Sequence, residues 1–184
     1  MTFTEGRLEQ AIIELLAAEG YPHSRGEVLD RAPGDVLIKS DLRQFLAARY
    51  QADLITEYEI ESIIHQLEYL PASDLYDSNK AIMQLVANGF TLKREDHTQK
   101  DLYIQLIDYE VLDNNRCRIV NQMEIQGFEL RIPDGILYIN GLPLVVFEFK
   151  SSIREDATLF DAYTQLTTRY QRDIPELFKY NVLC

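Results

Sequence analysis

The sequence contains no tryptophan, only two cysteines and three histidines, and no long uncharged apolar run. Cys117 and Cys184 cannot build a disulfide framework, and no Cys-x-x-Cys or Cys/His cluster indicates a zinc site. The first residues, MTFTEGRLEQ, carry acidic side chains and lack the apolar segment of a secretory signal. These absences exclude a disulfide-rich secreted protein and a bilayer-spanning one. We therefore expect a protein of the reducing cytoplasm, with no membrane partner.

Basic residues are scarce, since 18 Lys and Arg stand against 30 Asp and Glu, for a formal net charge of −12. Affinity for nucleic acid normally depends on Lys and Arg that neutralise phosphates, so this charge argues against binding of nucleic acid by bulk electrostatics. The imbalance is uneven: residues 1–130 hold 12 basic and 23 acidic side chains, whereas residues 131–184 hold 6 and 7. Chemistry on a polyanion is expected in the last third, with help from another domain or subunit. The alternative is a merely solvated acidic surface.

Helical patterns occupy the first half of the chain. An apolar fraction of 46% over 184 residues is typical of a folded globular domain. Thr56 and Glu59 form a capping-box pattern, which predicts that a helix begins there, and Pro71 ends it. We expect helices over about 5–19, 40–50, 56–70 and 75–86, and two short strands over about 27–29 and 36–38.

The pattern becomes strand-like after about residue 100. Asn140-Gly141, between two apolar runs, is a strong hairpin signal. The fold class that this order indicates is α/β: helices first, then a mixed sheet, then a helix and a returning strand. Because the chain stops inside that last element, we expect a piece of a longer polypeptide. The strands are expected over about 102–109, 118–126, 135–139, 144–149 and 180–183, and the helix over 156–170.

The stretch most informative about chemistry is the apolar hairpin that joins Pro133-Asp134 to Glu148-Phe149-Lys150. Strand alternation places Glu148 and Lys150 on one face, and a tight hairpin folds Asp134 back beside Glu148. Burying such charges is costly unless they pair or hold a metal. Two carboxylates supply the hard oxygen ligands that Mg²⁺ prefers, and a lysine can orient a water or stabilise charge on a phosphate.

A plainer interpretation of the same residues is an exposed Glu148–Lys150 pair, with Asp134 as a turn residue. The residues before Glu148 are almost continuously apolar, as in a buried strand, which favours the hydrolytic interpretation. On the residues alone, a phosphodiester-cleaving site is therefore the stronger hypothesis.

Three segments together resemble a known family: EGRLEQAIIELLAAEGY, RIPDGILYINGLPLVVFEFKSS and AYTQLTTRYQRDIPELFKYN. They are similar to the N-terminal endonuclease domain of the R subunit of type I restriction enzymes, in the PD-(D/E)xK nuclease superfamily. The resemblance implies a restriction-endonuclease-like mixed β-sheet core flanked by helices, with a helical N-terminal elaboration. It implies one nuclease domain over 1–184, with its core in about 1–20 and 100–184 and a helical insertion over about 40–90.

By the same resemblance, the chain is a Mg²⁺-dependent endonuclease that cuts both strands of double-stranded DNA. Its partners would be modification and specificity subunits and the motor domains of the same chain. The sequence has no G-x-x-x-x-G-K-[ST] motif, so ATP would bind only elsewhere in the parent protein. Asp134 and Glu148 would bind the metal and Lys150 would be the catalytic lysine. Glu9 on the first helix, or else Glu5, would complete the metal site.

The family also carries a Gln followed four residues later by a Tyr, in the helix after the catalytic strand. Here Gln165 matches, but Tyr170 comes five residues later, which turns the two side chains apart on an α-helix. Either that helix is distorted or Tyr170 does not share the role of Gln165 in positioning DNA or the active site. Arg169 and Arg172 are further candidates for contacts with backbone phosphates.

Two other functions remain open from the sequence. The acidic first 130 residues are compatible with a non-catalytic module that docks within a restriction or DNA-processing complex. A different PD-(D/E)xK enzyme, such as a RecB-like exonuclease, would carry the same three residues. A preference for free DNA ends over closed circles would distinguish that enzyme from an endonuclease.

Overall fold

The computed structural model describes residues 4–150 and 159–182. Within them the helices are α1 Glu5–Ala18, α2 Lys39–Arg49, α3 Glu57–Tyr69, α4 Leu75–Asn88, α5 Leu159–Thr164, α6 Gln171–Asp173 and α7 Pro175–Phe178, with a π-helical turn at Gln165–Tyr170. The strands are β1 His23–Arg25, β2 Phe90–Leu92, β3 Leu102–Ile104, β4 Cys117–Asn121, β5 Ile125–Gln126, β6 Leu130–Arg131, β7 Gly135–Ile139 and β8 Leu142–Phe147.

Capping side chains begin α1 and α3, and a glycine ends α4, as the sequence predicts; α2 begins after Ile38 without a side-chain cap. Thr4 caps α1 by accepting from Arg7 N, and Thr56 and Glu59 close both hydrogen bonds of the capping box of α3. Gly89, which has a φ of 66°, ends α4, because glycine adopts this left-handed conformation without a steric cost. The predicted helices over this half of the chain are confirmed.

The main sheet has four strands in the order β1-β4-β7-β8, and three of them come from the second half of the chain. β1 runs parallel to β4, and the other neighbouring pairs are antiparallel. The sheet is therefore mixed, and the α/β class that the sequence indicates is confirmed. Val120, Ile136 and Val146 lie side by side across three strands, and all three are buried in the apolar core.

The two faces of this sheet have different coverings. The core face packs against apolar side chains of α2, α3 and α4 and of the helix near the C-terminal end, including Leu46, Leu67, Ile82 and Leu166. On the opposite face α1 packs against β4, where Asn121 donates to Glu9. No helix in the part of the chain that the structure describes is long and apolar enough to cross a bilayer.

The β7–β8 hairpin turns at Asn140 and Gly141, whose φ angles of 52° and 81° are those of a type I′ turn. Asn140 is fully buried, accepting from Arg116 N at 2.7 Å and donating to Leu106 O at 2.9 Å. Gly141 O accepts from Ile38 N at 3.0 Å, so the turn also holds the start of α2. The predicted hairpin is confirmed, with β8 beginning two residues earlier and ending two residues earlier than expected.

A β-bulge sets the register of this hairpin. Tyr138 pairs with Pro143, but Leu137 pairs with Val145, so Leu144 is an extra residue on β8. The last pair is Gly135 with Phe147, which puts Asp134 opposite Glu148. Without the bulge Asp134 would lie opposite Phe147, because a shift of one residue turns every side chain to the other face.

Two strands predicted near the N-terminal end are wrong. Residues 26–28 form a 3₁₀ turn after β1, and residues 36–38 are buried without belonging to a strand. The apolar side chains of 36–38 do enter the core. Their backbone is instead held by local bonds, such as Ile38 N to Gly141 O and Asp35 N to Ala32 O. Burial alone therefore does not imply a sheet ladder.

Other strand boundaries also differ from the sequence prediction. The strand expected over 102–109 ends at Ile104, and the one expected over 118–126 is divided into β4 and β5 by Gln122, whose φ is 50°. The strand expected over 180–183 is wrong in the described residues 180–182. They form a turn in which Tyr180 N donates to Leu177 O, and they reach β8 through Val182 N, which donates to Leu144 O, and Asn181 Nδ2, which donates to Pro143 O.

Gly141→Ala is expected to destabilise the chain. An added Cβ would lie 2.2 Å from Ile38 O, at a positive φ that L side chains rarely adopt. We expect a loss of about 2 kcal/mol or more in the free energy of unfolding, measured by urea titration. Gly6→Ala is the control, because a Cβ there meets nothing within 4 Å and alanine favours the helix. Equal effects of the two changes would contradict this account of the turn.

Candidate active site

The ends of β7 and β8 bring Asp134, Glu148 and Lys150 together. Asp134 Oδ2 accepts from the Phe149 backbone N–H at 2.6 Å, which ties the residue before β7 to the residues after β8. Lys150 Nζ lies 2.6 Å from Glu148 Oε1, so the two side chains share a face, as strand alternation predicts. The juxtaposition of two carboxylates and an ammonium at this hairpin end agrees with the sequence prediction, and their roles stay predictions.

Glu148 and Lys150 differ in how far they are buried. The Glu148 side chain is 2% exposed, whereas the Lys150 side chain is 21% exposed and reaches toward solvent. The alternation of side chains continues past the end of β8, because Phe147 and Phe149 share a face. Their rings stack with their centroids 5.9 Å apart. A buried carboxylate next to a partly exposed ammonium can face a ligand from outside the protein without leaving a buried charge unpaired.

Asp134 is a carboxyl group whose ionisation the site perturbs. Burial raises the pKa of the Asp134 carboxyl from 3.8 to about 6, the Glu148 and Glu9 carboxylates add to the rise, and the Phe149 N–H and Lys150 oppose it. The environment of Asp134 therefore disfavours its ionised form. A site with excess negative charge at neutral pH is suited to a cation.

The helix over the site contains the distortion that the five-residue spacing required. Residues Gln165–Tyr170 form a π-helical turn, in which backbone bonds span five residues rather than four. As a result Gln165 Nε2 donates to the Tyr170 hydroxyl at 2.9 Å. Of the two alternatives that the sequence left open, the structure shows the local distortion, and it brings the two side chains into contact.

The Tyr170 hydroxyl in turn contacts the carboxylate site. It lies 3.1 Å from Glu148 Oε2 and 3.3 Å from Ile132 O, and it can donate its proton to either. Burial raises the pKa of this hydroxyl well above its usual value, and the neighbouring Glu148 contributes to the rise. Tyr170 is therefore a neutral donor that fixes one oxygen of Glu148, while Lys150 fixes the other.

Glu9 approaches the site from the opposite side of the sheet. Its Oε1 accepts from Asn121 Nδ2 at 2.8 Å and from Gln122 Nε2 at 3.4 Å, at the end of β4 next to Asp134. Asn121 Oδ1 is itself 2.8 Å from His23 Nε2. Among the described residues, no three Asp, Glu, His or Cys side chains form a metal-binding group. Glu9 therefore acts on Asp134 through its charge, and its predicted role as a ligand stays a prediction.

Sequence reasoning missed the residues that support this site. Asn121 and Gln122 gave no recognisable signal, because neither belongs to a motif. Arg131 precedes the Pro-Asp pair and could have drawn attention by that position, but its partner Asp173 lies 42 residues away. Of the predicted arginines, Arg172 is bound to Asp173 and Arg169 is exposed on the same helical segment.

The donor set fits a magnesium ion. Carboxylate oxygens are the ligands that Mg²⁺ prefers, and it commonly takes one or two of them with waters and substrate phosphate. Asp134 uses Oδ2 for the Phe149 N–H, and among the described residues no hydrogen bond engages Oδ1. The residues that would hold the ion are Asp134 and Glu148, in a position where a cation would offset the repulsion between their charges.

Asp134→Asn is expected to stabilise the metal-free chain at neutral pH. The raised pKa means that the folded state binds the Asp134 proton more tightly than the unfolded state, so stability falls as pH rises from about 4 to about 6. The asparagine variant lacks this loss, and at pH 7 we expect it to be about 2 kcal/mol more stable. Urea unfolding in EDTA at several pH values measures the difference. A variant that is less stable than wild type at pH 7 would contradict the electrostatic account.

Known proteins are similar to this sequence along nearly its whole length. The family model described as type I restriction enzyme R protein N terminus matches residues 2–184. The type I restriction enzyme HindI endonuclease subunit of Haemophilus influenzae is 34% identical over 188 residues, which covers 96% of this chain and 18% of that protein.

Two proteins of Methanocaldococcus jannaschii extend the comparison. The putative type I restriction enzyme MjaIXP endonuclease subunit is 27% identical over 94% of this chain and 17% of its own length. The putative MjaVIIIP endonuclease subunit is 32% identical over 70% of this chain and 12% of its own length. The chain thus spans less than a fifth of each relative. Its resemblance is confirmed, and the chain belongs to the family of type I restriction enzyme R protein N-termini.

Proposed function

We propose that the chain is a Mg²⁺-dependent endonuclease domain that hydrolyses phosphodiesters of double-stranded DNA. The observation that carries the proposal is the hairpin end, where Asp134 and Glu148 lie opposite each other and Lys150 Nζ is 2.6 Å from Glu148 Oε1. Two hard-oxygen ligands next to an ammonium supply the groups that metal-assisted phosphodiester hydrolysis uses. The family membership and the names of the relatives support the same reaction class.

Each side chain has a distinct task in this proposal. Asp134 and Glu148 would hold the Mg²⁺, which when bound supplies an acidified water and a positive charge next to the phosphate. Lys150, exposed on one side, would donate to the phosphate oxygen on which charge develops, or orient the attacking water. Tyr170 keeps Glu148 in place, and Gln165 keeps Tyr170 in place.

The wider setting follows from the relatives. Each is named a type I restriction enzyme endonuclease subunit, and this chain spans less than a fifth of each. We infer that the chain works within a type I restriction complex that cuts both DNA strands, with modification and specificity subunits as partners. ATP-driven translocation would belong to motor domains of the same polypeptide, because this sequence has no P-loop motif. We place the complex in the cytoplasm.

Glu148→Gln and Lys150→Ala are expected to abolish cleavage. The first removes a charged metal ligand, and the second removes the ammonium next to the phosphate, so we expect rates at least about 100-fold lower. The measurement is conversion of covalently closed plasmid to linear DNA by the assembled complex, with Mg²⁺ and with EDTA. Glu14→Gln is the control, because Glu14 is exposed on α1 and, among the described residues, is bonded to Gln10 of the same helix.

The same assay decides between this proposal and the other two functions. Wild-type cleavage by either site variant would leave a docking role within the complex. Degradation of linear DNA, with closed circles left intact, would favour a RecB-like exonuclease. Loss of cleavage in both variants, with normal ATP hydrolysis by the complex, is the outcome that the proposal requires.

Tyr170→Phe is expected to lower the cleavage rate about 10- to 100-fold, the usual effect of removing a group that orients a metal ligand. The phenylalanine retains the buried ring but cannot donate to Glu148. The apparent affinity for Mg²⁺ should fall together with the rate. Tyr58→Phe, in which the hydroxyl of an exposed tyrosine on α3 is removed, is the control. An unchanged Mg²⁺ dependence in Tyr170→Phe would show that this hydroxyl does not position Glu148.

A further inference from the structure

Next to the carboxylate site, one buried aspartate holds two arginines. Arg131 Nε donates to Asp173 Oδ2 at 2.7 Å, and its Nη2 lies 2.5 Å from the same oxygen. Arg172 Nε donates to Asp173 Oδ1 at 2.6 Å, and its Nη2 donates to Oδ2 at 3.1 Å. The Asp173 side chain is only 1% exposed. One carboxylate therefore fixes the direction of both guanidinium groups.

The support for this aspartate is rigid. Asp173 O accepts from Phe128 N at 2.7 Å, and an added Cβ at Gly127 would lie only 2.2 Å from the same oxygen. The β5–β6 hairpin is thus pressed directly against α6. The Arg172 guanidinium, followed by that of Arg131, lowers the pKa of the Asp173 carboxyl to about 2, so the carboxylate remains charged at any physiological pH. The two arginines are held in place before any ligand arrives.

The cluster has more positive charge than Asp173 neutralises. Two guanidinium groups share one carboxylate, and the Arg172 and Arg131 side chains are 65% and 32% exposed. Arg172 uses Nε and Nη2 on Asp173, which leaves its Nη1 for another acceptor. The charge of Glu129 raises the pKa of Arg172, so this carboxylate also offsets part of the positive charge of the cluster. In a chain of net charge −12, two exposed guanidinium groups held side by side are a place where a phosphate can approach.

The cluster is built on the same two segments as the carboxylate site. Arg131 comes directly before Ile132, whose carbonyl oxygen lies 3.3 Å from the Tyr170 hydroxyl, and three residues before Asp134. Arg172 follows Tyr170 by two residues in the helix that reaches Glu148. Any movement of the cluster relative to the site would therefore have to break the contacts of Tyr170.

We propose that Arg131 and Arg172, held by Asp173, form a clamp for a DNA backbone phosphate close to the one that is cut. The proposal rests on the proposed nuclease function, and it identifies where the strand is gripped. Nε and Nη2 of each arginine are engaged with Asp173, and Arg131 Nη1 donates to Leu130 O at 3.4 Å, so the outward N–H groups of the pair are those offered to a phosphate. A pre-oriented pair loses little side-chain freedom on binding. Asp173 thus has a positioning role, and the two arginines contact the substrate.

The test is the salt dependence of DNA affinity for the full-length polypeptide in a Glu148→Gln background, which prevents cutting. Fluorescence anisotropy with a labelled duplex gives the slope of log affinity against log salt concentration. Arg172→Gln should make this slope less steep by about 0.9, the value for one phosphate contact. Arg131→Gln should do the same. Arg43→Gln, which removes an equal charge from a pair with Glu61 on α2 and α3, should leave the slope unchanged.

Arg172→Gln also keeps the test independent of folding, because Asp173 retains its pair with Arg131 and Arg172 is mostly exposed. Its thermal midpoint should stay close to that of the parent. A slope equal to that of the parent for Arg172→Gln, or an equal change for Arg43→Gln, would overturn the clamp. If the protein that keeps Glu148 cleaves DNA but the arginine substitutions leave the salt slope unchanged, the clamp alone is refuted. A changed slope in a protein that never cuts would refute the nuclease function alone.

Discussion

The register of the β7–β8 hairpin is the constraint on which the site depends. The type I′ turn at Asn140-Gly141 fixes where the two strands meet, and the bulge at Leu144 then shifts the pairing by one residue. Asp134 and Glu148 face each other only because of that shift. A strand pair of the same sequence without the bulge would place a phenylalanine ring where the second carboxylate stands. The chemistry therefore depends on backbone geometry several residues away from the charged groups.

Burying these charges at the edge of an apolar sheet costs desolvation free energy, and the two carboxylates are compensated to different degrees by their neighbours. Glu148 is almost completely buried, yet Lys150 and Tyr170 each satisfy one of its oxygens. Within residues 4–150 and 159–182, the hydrogen bond of the Asp134 carboxylate is the one from the Phe149 N–H, and burial raises its pKa to about 6. Such an imbalance is common where a carboxylate is kept for a ligand rather than for folding. The π-helical turn belongs to the same arrangement, because it aims Tyr170 at Glu148.

Local signals in the sequence predict the local structure well. The capping box at Thr56, the glycine after α4 and the Asn-Gly turn all formed as expected, because each acts through its own neighbours. The same turn brings the Pro-Asp and Glu-x-Lys segments to one end of the hairpin, but the bulge that sets Asp134 opposite Glu148 had no signal in the sequence. Features that depend on distant contacts were not predictable. Residues 36–38 have the apolar pattern of a strand, but the backbone N–H of Ile38 is bonded to the hairpin turn at Gly141 instead of to a strand. Likewise, nothing local joins Asp173 to Arg131, and the odd spacing of Gln165 and Tyr170 showed that something was irregular without showing what.

We propose that Asp134 and Glu148 share a divalent cation. The most direct measurement is a crystal structure of the protein soaked with Mn²⁺, with the ion located by its anomalous scattering. We expect a peak in contact with both Asp134 and Glu148, with the Lys150 ammonium displaced from Glu148 Oε1. A peak elsewhere, or none at a Mn²⁺ concentration that saturates DNA cleavage, would contradict it.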